Sequence, residues 1–231
     1  MLKKSNNIYL TNDGSYTLYN SLVKEHYHST HGAVQESKHV FIANGIAPLF
    51  KRKPMPKMIN ILEVGFGTGL NALLSIDISE LHEVKLNYTS LEPYPLCQNE
   101  IKQLNYFNFF DEVDLRKAQF KLIHECDMGI TCSINSLFNL TKHEIKIQEF
   151  NTQDQSLDIV YFDAFSPEKQ PEMWNFDILL KLYLFLKKDG LFVTYCAKGE
   201  LKRNLKKAGF LVETLPGPPG KREMILAKKL I

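Results

Sequence analysis

The run Glu63-Val64-Gly65-Phe66-Gly67-Thr68-Gly69-Leu70 sets glycines at every second position, behind an acid and ahead of a helical pattern. Glycines at such a turn let backbone approach a ligand closely, and the helix start beyond them offers unpaired N–H groups. A dinucleotide fingerprint would need glycine where Leu70 stands, so the G-x-G-x-G spacing argues against a nicotinamide dinucleotide. Glu63 before the glycines and Glu92 at the end of the next apolar run suit a ligand with a ribose to grip and an amino-acid ammonium to neutralise. S-adenosylmethionine has both. The plainer alternative is a tight strand-to-helix turn that binds nothing.

In Asp158-Ile159-Val160-Tyr161-Phe162-Asp163-Ala164-Phe165-Ser166-Pro167 an apolar strand ends in an acid, a small residue, an aromatic and a proline. Ligand clefts of open α/β sheets lie beyond the carboxyl ends of strands, which puts Asp163 and Phe165 at one. Asp163 has the chemistry to orient a nucleophile or take its proton, and Phe165 to pack on a flat base. The alternative, an Asp capping the helix after Pro171, asks the carboxyl to reach too far downstream.

Positive charge gathers near the C-terminus at Lys198, Lys202, Arg203, Lys206 and Lys207, then at Lys221 and Arg222 beside a Pro-Gly turn. On a helix from Gly199, Lys202, Arg203, Lys206 and Lys207 share one face, with Leu201, Leu205 and Ala208 opposite. Few acids nearby would neutralise that face, which makes it the candidate nucleic-acid surface; a merely solvated face is the alternative. The net charge of +2 carries no such message by itself.

His26, His28 and His31 lack the i, i+4 spacing of helical metal ligands and read as a polar loop. His39 reads as a hydrogen-bonded structural histidine, and Tyr106-Phe107-Asn108-Phe109-Phe110 as core material. The four cysteines, Cys97, Cys126, Cys132 and Cys196, include no C-x-x-C pair and read as reduced thiols. No metal site is expected.

These groups need a sheet to hold them. From Met58 onward, short apolar runs alternate with amphipathic segments, the pattern of an α/β unit with a mostly parallel sheet. The expected strands are 59–64, 85–91, 144–150, 157–162 and 191–195. Helices should follow Gly69, Tyr94, Trp174 and Gly199, that from Phe176 running to Lys188 with Gly190 as its stop. Runs 211–215 and 224–228, flanking Pro216-Gly217-Pro218-Pro219-Gly220, should close the sheet as an antiparallel pair. Ahead of the breaker-rich Lys51–Lys57 linker, two alternating stretches around Asp13-Gly14 make a hairpin. The division is thus a 1–57 hairpin appendage and a 58–231 main domain. With 231 residues, 44% of them hydrophobic and 23% charged, the chain can bury a sizeable core and is not of disordered composition. No stretch approaches the roughly 20 apolar residues of a membrane span, and Met1-Leu2-Lys3-Lys4 leads into no signal core, so the expected location is cytoplasmic without membrane contact.

Four segments together carry a family resemblance: Ser37-Lys38-His39-Val40-Phe41; Glu63 through Asn71; Phe162-Asp163-Ala164-Phe165-Ser166-Pro167-Glu168-Lys169-Gln170-Pro171-Glu172-Met173-Trp174; and Leu215-Pro216-Gly217-Pro218-Pro219-Gly220-Lys221-Arg222-Glu223-Met224. In order and over nearly the whole chain, they resemble the methyltransferase part of the MnmC family. The resemblance implies a class I, Rossmann-like fold that moves a methyl group from S-adenosylmethionine to 5-aminomethyl-2-thiouridine at the tRNA wobble position, giving 5-methylaminomethyl-2-thiouridine. Fused members continue into a flavin-dependent oxidase, for which this length has no room, so the chain resembles the stand-alone, MnmD-like form and no flavin is expected. The family's adenine-side acid falls near Glu144 and Glu149, and Glu144 is taken.

The expected methyl-donor site is therefore Glu63, Gly65, Gly67, Gly69, Glu92, Glu144 and Asp163. The catalytic pair is Asp163 and Phe165, with Trp174 a further platform for an unstacked base. The expected tRNA surface is Lys202, Arg203, Lys206, Lys207, Lys221 and Arg222. Two other functions share parts of this pattern: a polyamine aminopropyltransferase, whose polycationic product the basic face would repel, and a tRNA-binding module without catalysis.

Overall fold

The computed structural model describes residues 6–231; the Met1-Leu2-Lys3-Lys4 start, read above as lacking a signal core, and the first residues of the 1–57 appendage lie outside the described residues. The hairpin forms as expected: β1 (Asn6–Leu10) and β2 (Tyr16–Asn20) pair antiparallel around the Asp13-Gly14 turn, and a short β3 (Glu25–His26) adds a third strand to that sheet. A helical stretch follows, α1 (Ala33–Ser37), a π-helical segment over Lys38–Ile46 and α2 (Ala47–Phe50).

The main sheet then alternates with helices. Its elements are β4 (Met58–Val64), α3 (Leu70–His82), β5 (Lys85–Leu91), α4 (Gln98–Ile101), α5 (Val113–Glu125), β6 (Thr131–Asn135), β7 (Phe138–His143), β8 (Leu157–Phe162), α6 (Phe176–Phe185), β9 (Leu186–Thr194), α7 (Gly199–Ala208), β10 (Phe210–Pro216) and β11 (Glu223–Lys229). The strand order is β10-β11-β9-β8-β4-β5-β7-β6. Pairs β4·β5, β4·β8, β5·β7 and β8·β9 are parallel, while β10·β11, β11·β9 and β6·β7 are antiparallel. The chain winds outward from β4 to one side, then returns to place β8 on the other. This reversal opens a crevice beyond the carboxyl ends of β4 and β8, where ligands of such sheets bind.

Both faces of the central strands are covered, which is why β4 and β8 read as nearly unbroken apolar runs. On one face Val40, Phe41 and Ile46 of the helical stretch share a core with Ile61, Tyr88 and Tyr161, the rings of Phe41 and Tyr161 lying 5.2 Å apart. Residues on either side of the Lys51–Lys57 linker therefore belong to one hydrophobic cluster. On the other face Ile178, Leu179 and Leu182 of α6 and Leu201 and Leu205 of α7 pack on Leu62, Phe162 and Phe192.

Three expectations are corrected. The strand beside β5 is 138–143, not 144–150: Phe138, Leu140 and Lys142 turn inward and Leu86 pairs with Phe138, whereas Ile147 and Phe150 enter the core from a turn. Helix α6 stops at Phe185 rather than Lys188, so Lys187, Lys188 and Gly190 lie in β9, where the Lys187 ammonium bonds both oxygens of Asp158 at 2.9 and 2.8 Å. Cys126, ending α5, and Cys132, in β6, form a disulfide, leaving Cys97 and Cys196 as the free thiols among the described residues. His39, as expected, is structural: its Nε2 donates to the Pro216 carbonyl at 2.9 Å.

Candidate active site

At the carboxyl end of β4 the glycine turn is drawn across the sheet, its Gly65 and Phe66 amides both donating to the Leu91 carbonyl. Gly65 has φ +96°, and a Cβ there would stand 2.5 Å from the Asp163 carbonyl oxygen, so only glycine fits. Glu92, just past β5, closes the turn from the side: Oε2 accepts from the Gly67 amide at 2.9 Å and Oε1 from the Tyr94 amide at 2.9 Å.

The loop after β8 is held at each of its residues by a different element. The Asp163 amide donates to the Val64 carbonyl at 2.9 Å. The Tyr195 hydroxyl donates to the Ala164 carbonyl and the Trp174 indole to the Phe165 carbonyl, both at 2.8 Å. Ser166 donates through its amide and hydroxyl to Glu25 Oε2 at 3.1 and 2.8 Å. A loop so restrained presents Asp163 and Phe165 with little freedom, which is what positioning a reacting group requires.

Between the turn and the loop lies a cleft of about 360 Å³. Gly65, Gly67, Glu92, Asp163 and Phe165 line it, as expected from the sequence. Its far wall is new: Tyr27, His28 and Glu36 come from the N-terminal segment, Tyr195 follows β9, and Lys221 enters from the β10–β11 turn. Tyr27 meets Phe165 edge-on at 5.1 Å between ring centroids.

Electrostatics single out the acids. Asn71 of α3 donates from Nδ2 to Asp163 Oδ2 at 2.8 Å and to Glu63 Oε1 at 3.1 Å, and the Ser90 hydroxyl donates to Glu63 Oε2 at 2.7 Å. Burial, reinforced by the Glu36 carboxylate, pushes Asp163 up to about 7. Burial, with Asp163 adding to it, takes Glu63 up to about 8. Burial also takes His28 down to about 4; its ring bridges Thr17 and Thr68, tying the N-terminal sheet to the glycine turn.

Other expected site residues fall elsewhere. Glu63 is fully buried behind the turn and acts on the cleft through Asn71. Gly69 caps α3 in a left-handed conformation rather than lining the cleft. Glu144 and Glu149 are both exposed and outside the lining; Ile145, Lys146 and Ile147 form that wall, because the segment is a turn and not a strand end. Trp174 is only 5% exposed and serves as the support for Phe165, which removes it as a stacking platform.

The basic helix is real, with Arg203, Lys206 and Lys207 exposed on α7 opposite buried Leu201, Leu205 and Ala208. Acids do meet the wider group, against expectation. Lys202 bonds Glu223 at 2.8 Å, Lys198 contacts Glu168, and Lys221 points inward to Glu36 at 2.6 Å. Among the described residues no group of His, Cys, Asp and Glu could hold a metal ion, and no helix is long and apolar enough to cross a membrane.

Residues 117–230 match the family model described as S-adenosyl-L-methionine-dependent methyltransferase. Over 220 residues the chain is 30% identical to the tRNA 5-methylaminomethyl-2-thiouridine biosynthesis bifunctional protein MnmC of Pseudoalteromonas atlantica, covering 88% of this chain and 31% of that protein. The protein of the same name from Campylobacter hominis is 30% identical over 217 residues, covering 91% of this chain and 31% of its own length. The chain thus spans about a third of the curated relatives it matches, 31% in each of these two. Among solved structures, MnmC2 from Aquifex aeolicus superposes with a TM-score of 0.78 over 100% of this chain and 71% of that one, at 23% identity, which is a likeness of fold.

Proposed function

We propose that the chain, which matches the S-adenosyl-L-methionine-dependent methyltransferase family model over residues 117–230 and is similar to MnmC proteins over about a third of their length, methylates the amine of 5-aminomethyl-2-thiouridine at the wobble position of tRNA. The observation that carries this reading is the convergence on one cleft of a glycine turn, an acid at the end of β5 and a rigidly held Asp-Ala-Phe loop. The turn fits the donor, because a backbone with no side chain at Gly65 and a carboxylate at Glu92 are what a nucleoside with free ribose hydroxyls needs beside it. When bound, S-adenosylmethionine supplies the electrophilic methyl group.

What remains is the work of the protein's own residues. An alkylamine resembles Lys, with a reference pKa of about 10.4, so near neutral pH roughly one molecule in a few thousand carries the lone pair that attacks carbon. Asp163 has to aim the amine without locking it as an ammonium. Its pKa near 7 suits that task, since a partly neutral carboxyl holds an ammonium less tightly than a full carboxylate and still accepts a proton at neutral pH. Asn71 fixes the orientation of that carboxyl. Phe165, half-exposed on the cleft and braced by Tyr27, offers a ring for a base that has left its stack. The exposed Arg203, Lys206 and Lys207 face of α7 supplies positive potential for the RNA backbone.

The test is incubation with methyl-labelled S-adenosylmethionine and tRNA carrying the aminomethyl precursor, followed by digestion to nucleosides. Label is expected in 5-methylaminomethyl-2-thiouridine; label confined to other nucleosides, or none, overturns the substrate. Decarboxylated donor offered in parallel separates aminopropyl transfer from methyl transfer.

A further inference from the structure

An alkylammonium already sits in the cleft. Lys221 Nζ lies 2.6 Å from Glu36 Oε1 and 3.6 Å from the centroid of the Tyr195 ring. Glu36 Oε2 accepts from the Ser29 amide at 2.6 Å, and its side chain is 7% exposed against 31% for Lys221. The carboxylate belongs to α1, the ring follows β9 and the ammonium comes from the C-terminal turn, so only the tertiary fold joins them. That turn is ordered by its own bonds, Gly217 N–H to the Arg222 carbonyl and Lys221 N–H to the Pro218 carbonyl.

A buried carboxylate beside an aromatic face is the chemistry that recognises a primary alkylammonium, through a charge-assisted hydrogen bond and a cation–π contact. Both groups line the same cleft as Asp163. Resting on the reading that the acceptor is an alkylamine, we propose that Glu36 and the face of Tyr195 form the subsite that receives the acceptor's aminomethyl group as its ammonium, with Lys221 filling that subsite until the acceptor displaces it. A carboxylate as buried as Glu36 is costly without a counterion, and exchanging one ammonium for another keeps it paired throughout. No covalent bond changes in the exchange. A uridine that carries no ammonium brings nothing to replace Lys221, so the displacement also discriminates against unmodified tRNA. Lys221, on a turn and partly exposed, swings outward; Glu36 captures the arriving group as its ammonium, and Asp163, lining the same cleft, then takes the proton so that the free amine is the species that attacks.

Ethylammonium chloride is the probe, with equal potassium chloride as control. It is expected to raise the melting temperature of Lys221→Met saturably, to act on the native protein only at about tenfold higher concentration, and to lose its effect in the Glu36→Gln/Lys221→Met double variant, whose neutral pair also guards against a folding defect. Lys221→Gln serves if Lys221→Met does not fold. With aminomethyl-tRNA, Lys221→Met should lower KM about tenfold if Lys221 fills the subsite nine-tenths of the time. No ethylammonium response in a folded Lys221 variant overturns the subsite, and a raised KM with a flatter salt dependence overturns the displacement by placing Lys221 on RNA phosphate. If ethylammonium binds through Glu36 while no label reaches the aminomethyl nucleoside, the substrate is wrong and the subsite stands.

Discussion

The side-chain amide of Asn71 donates to Asp163 Oδ2 at 2.8 Å across 92 positions of sequence, joining the helix after the glycine turn to the acid after β8. The same nitrogen reaches Glu63, so two acids with raised pKa values share one donor. Asn71→Asp would set a third carboxyl against them, and like charges this close disfavour ionisation. The acid limb of the pH–rate profile, expected near 7, should then move up by about one unit or more. An unmoved limb would disconnect Asn71 from Asp163.

Asp163→Asn keeps the shape of the side chain and removes the proton acceptor. It should fold and bind S-adenosylmethionine nearly as the native protein does, while the single-turnover rate falls by about 10² to 10⁴, the usual worth of general-base assistance. A native rate from pH 6 to 9 would exclude Asp163 from proton transfer.

Glu92 should hold the ribose hydroxyls while bracing the Gly67 amide. Glu92→Ala leaves those groups unpaired in a cleft, for a loss on the order of 1 to 3 kcal/mol in donor binding by calorimetry. Unchanged affinity would refute the assignment.

For RNA, the ion pairs redirect the mutations. Lys202 is engaged by Glu223 and Lys221 by Glu36, whereas Arg203, Lys206 and Lys207 are exposed. Neutralising those three should weaken tRNA binding and flatten the dependence of log affinity on log salt by roughly 0.7 to 0.9 per lost phosphate contact, leaving donor affinity alone. The same slope in the triple variant would move the RNA surface elsewhere, with Lys51-Arg52-Lys53 as the next candidate.

Stability should fall in acid through the half-buried His28 and His124. Burial takes both His28 and His124 down to about 4, below the ordinary value of 6.5. A base with a depressed folded pKa binds its proton more readily in the unfolded chain, so this stability is present above pH 6.5 and is lost as pH falls from there toward 4. His28→Gln/His124→Gln should lower the melting temperature less over that interval than the native pair does. Equal slopes would show that other groups govern acid unfolding.

The glycine turn, the Asp163 loop and the C-terminal antiparallel pair were legible in the residues because each depends on local chemistry: glycines at positive φ, an apolar run ending in turn residues, and two alternating stretches around Pro-Gly. The strand 138–143 was not, because Lys142 interrupts its apolar face, and only pairing with β5 makes that alternation win over the one at 144–150. Lys221 looked like an outward cation, since nothing near it in the chain says otherwise. Its partner Glu36 lies 185 positions away, and the sheet alone brings the two together beneath Tyr195. Turn chemistry and periodicity alone mark the Gly65–Gly69 turn and the strand ending at Asp163 as the segments to place at a ligand cleft. Tertiary structure decided which charges face the cleft and which face water, because burial and pairing belong to neighbours distant in the chain.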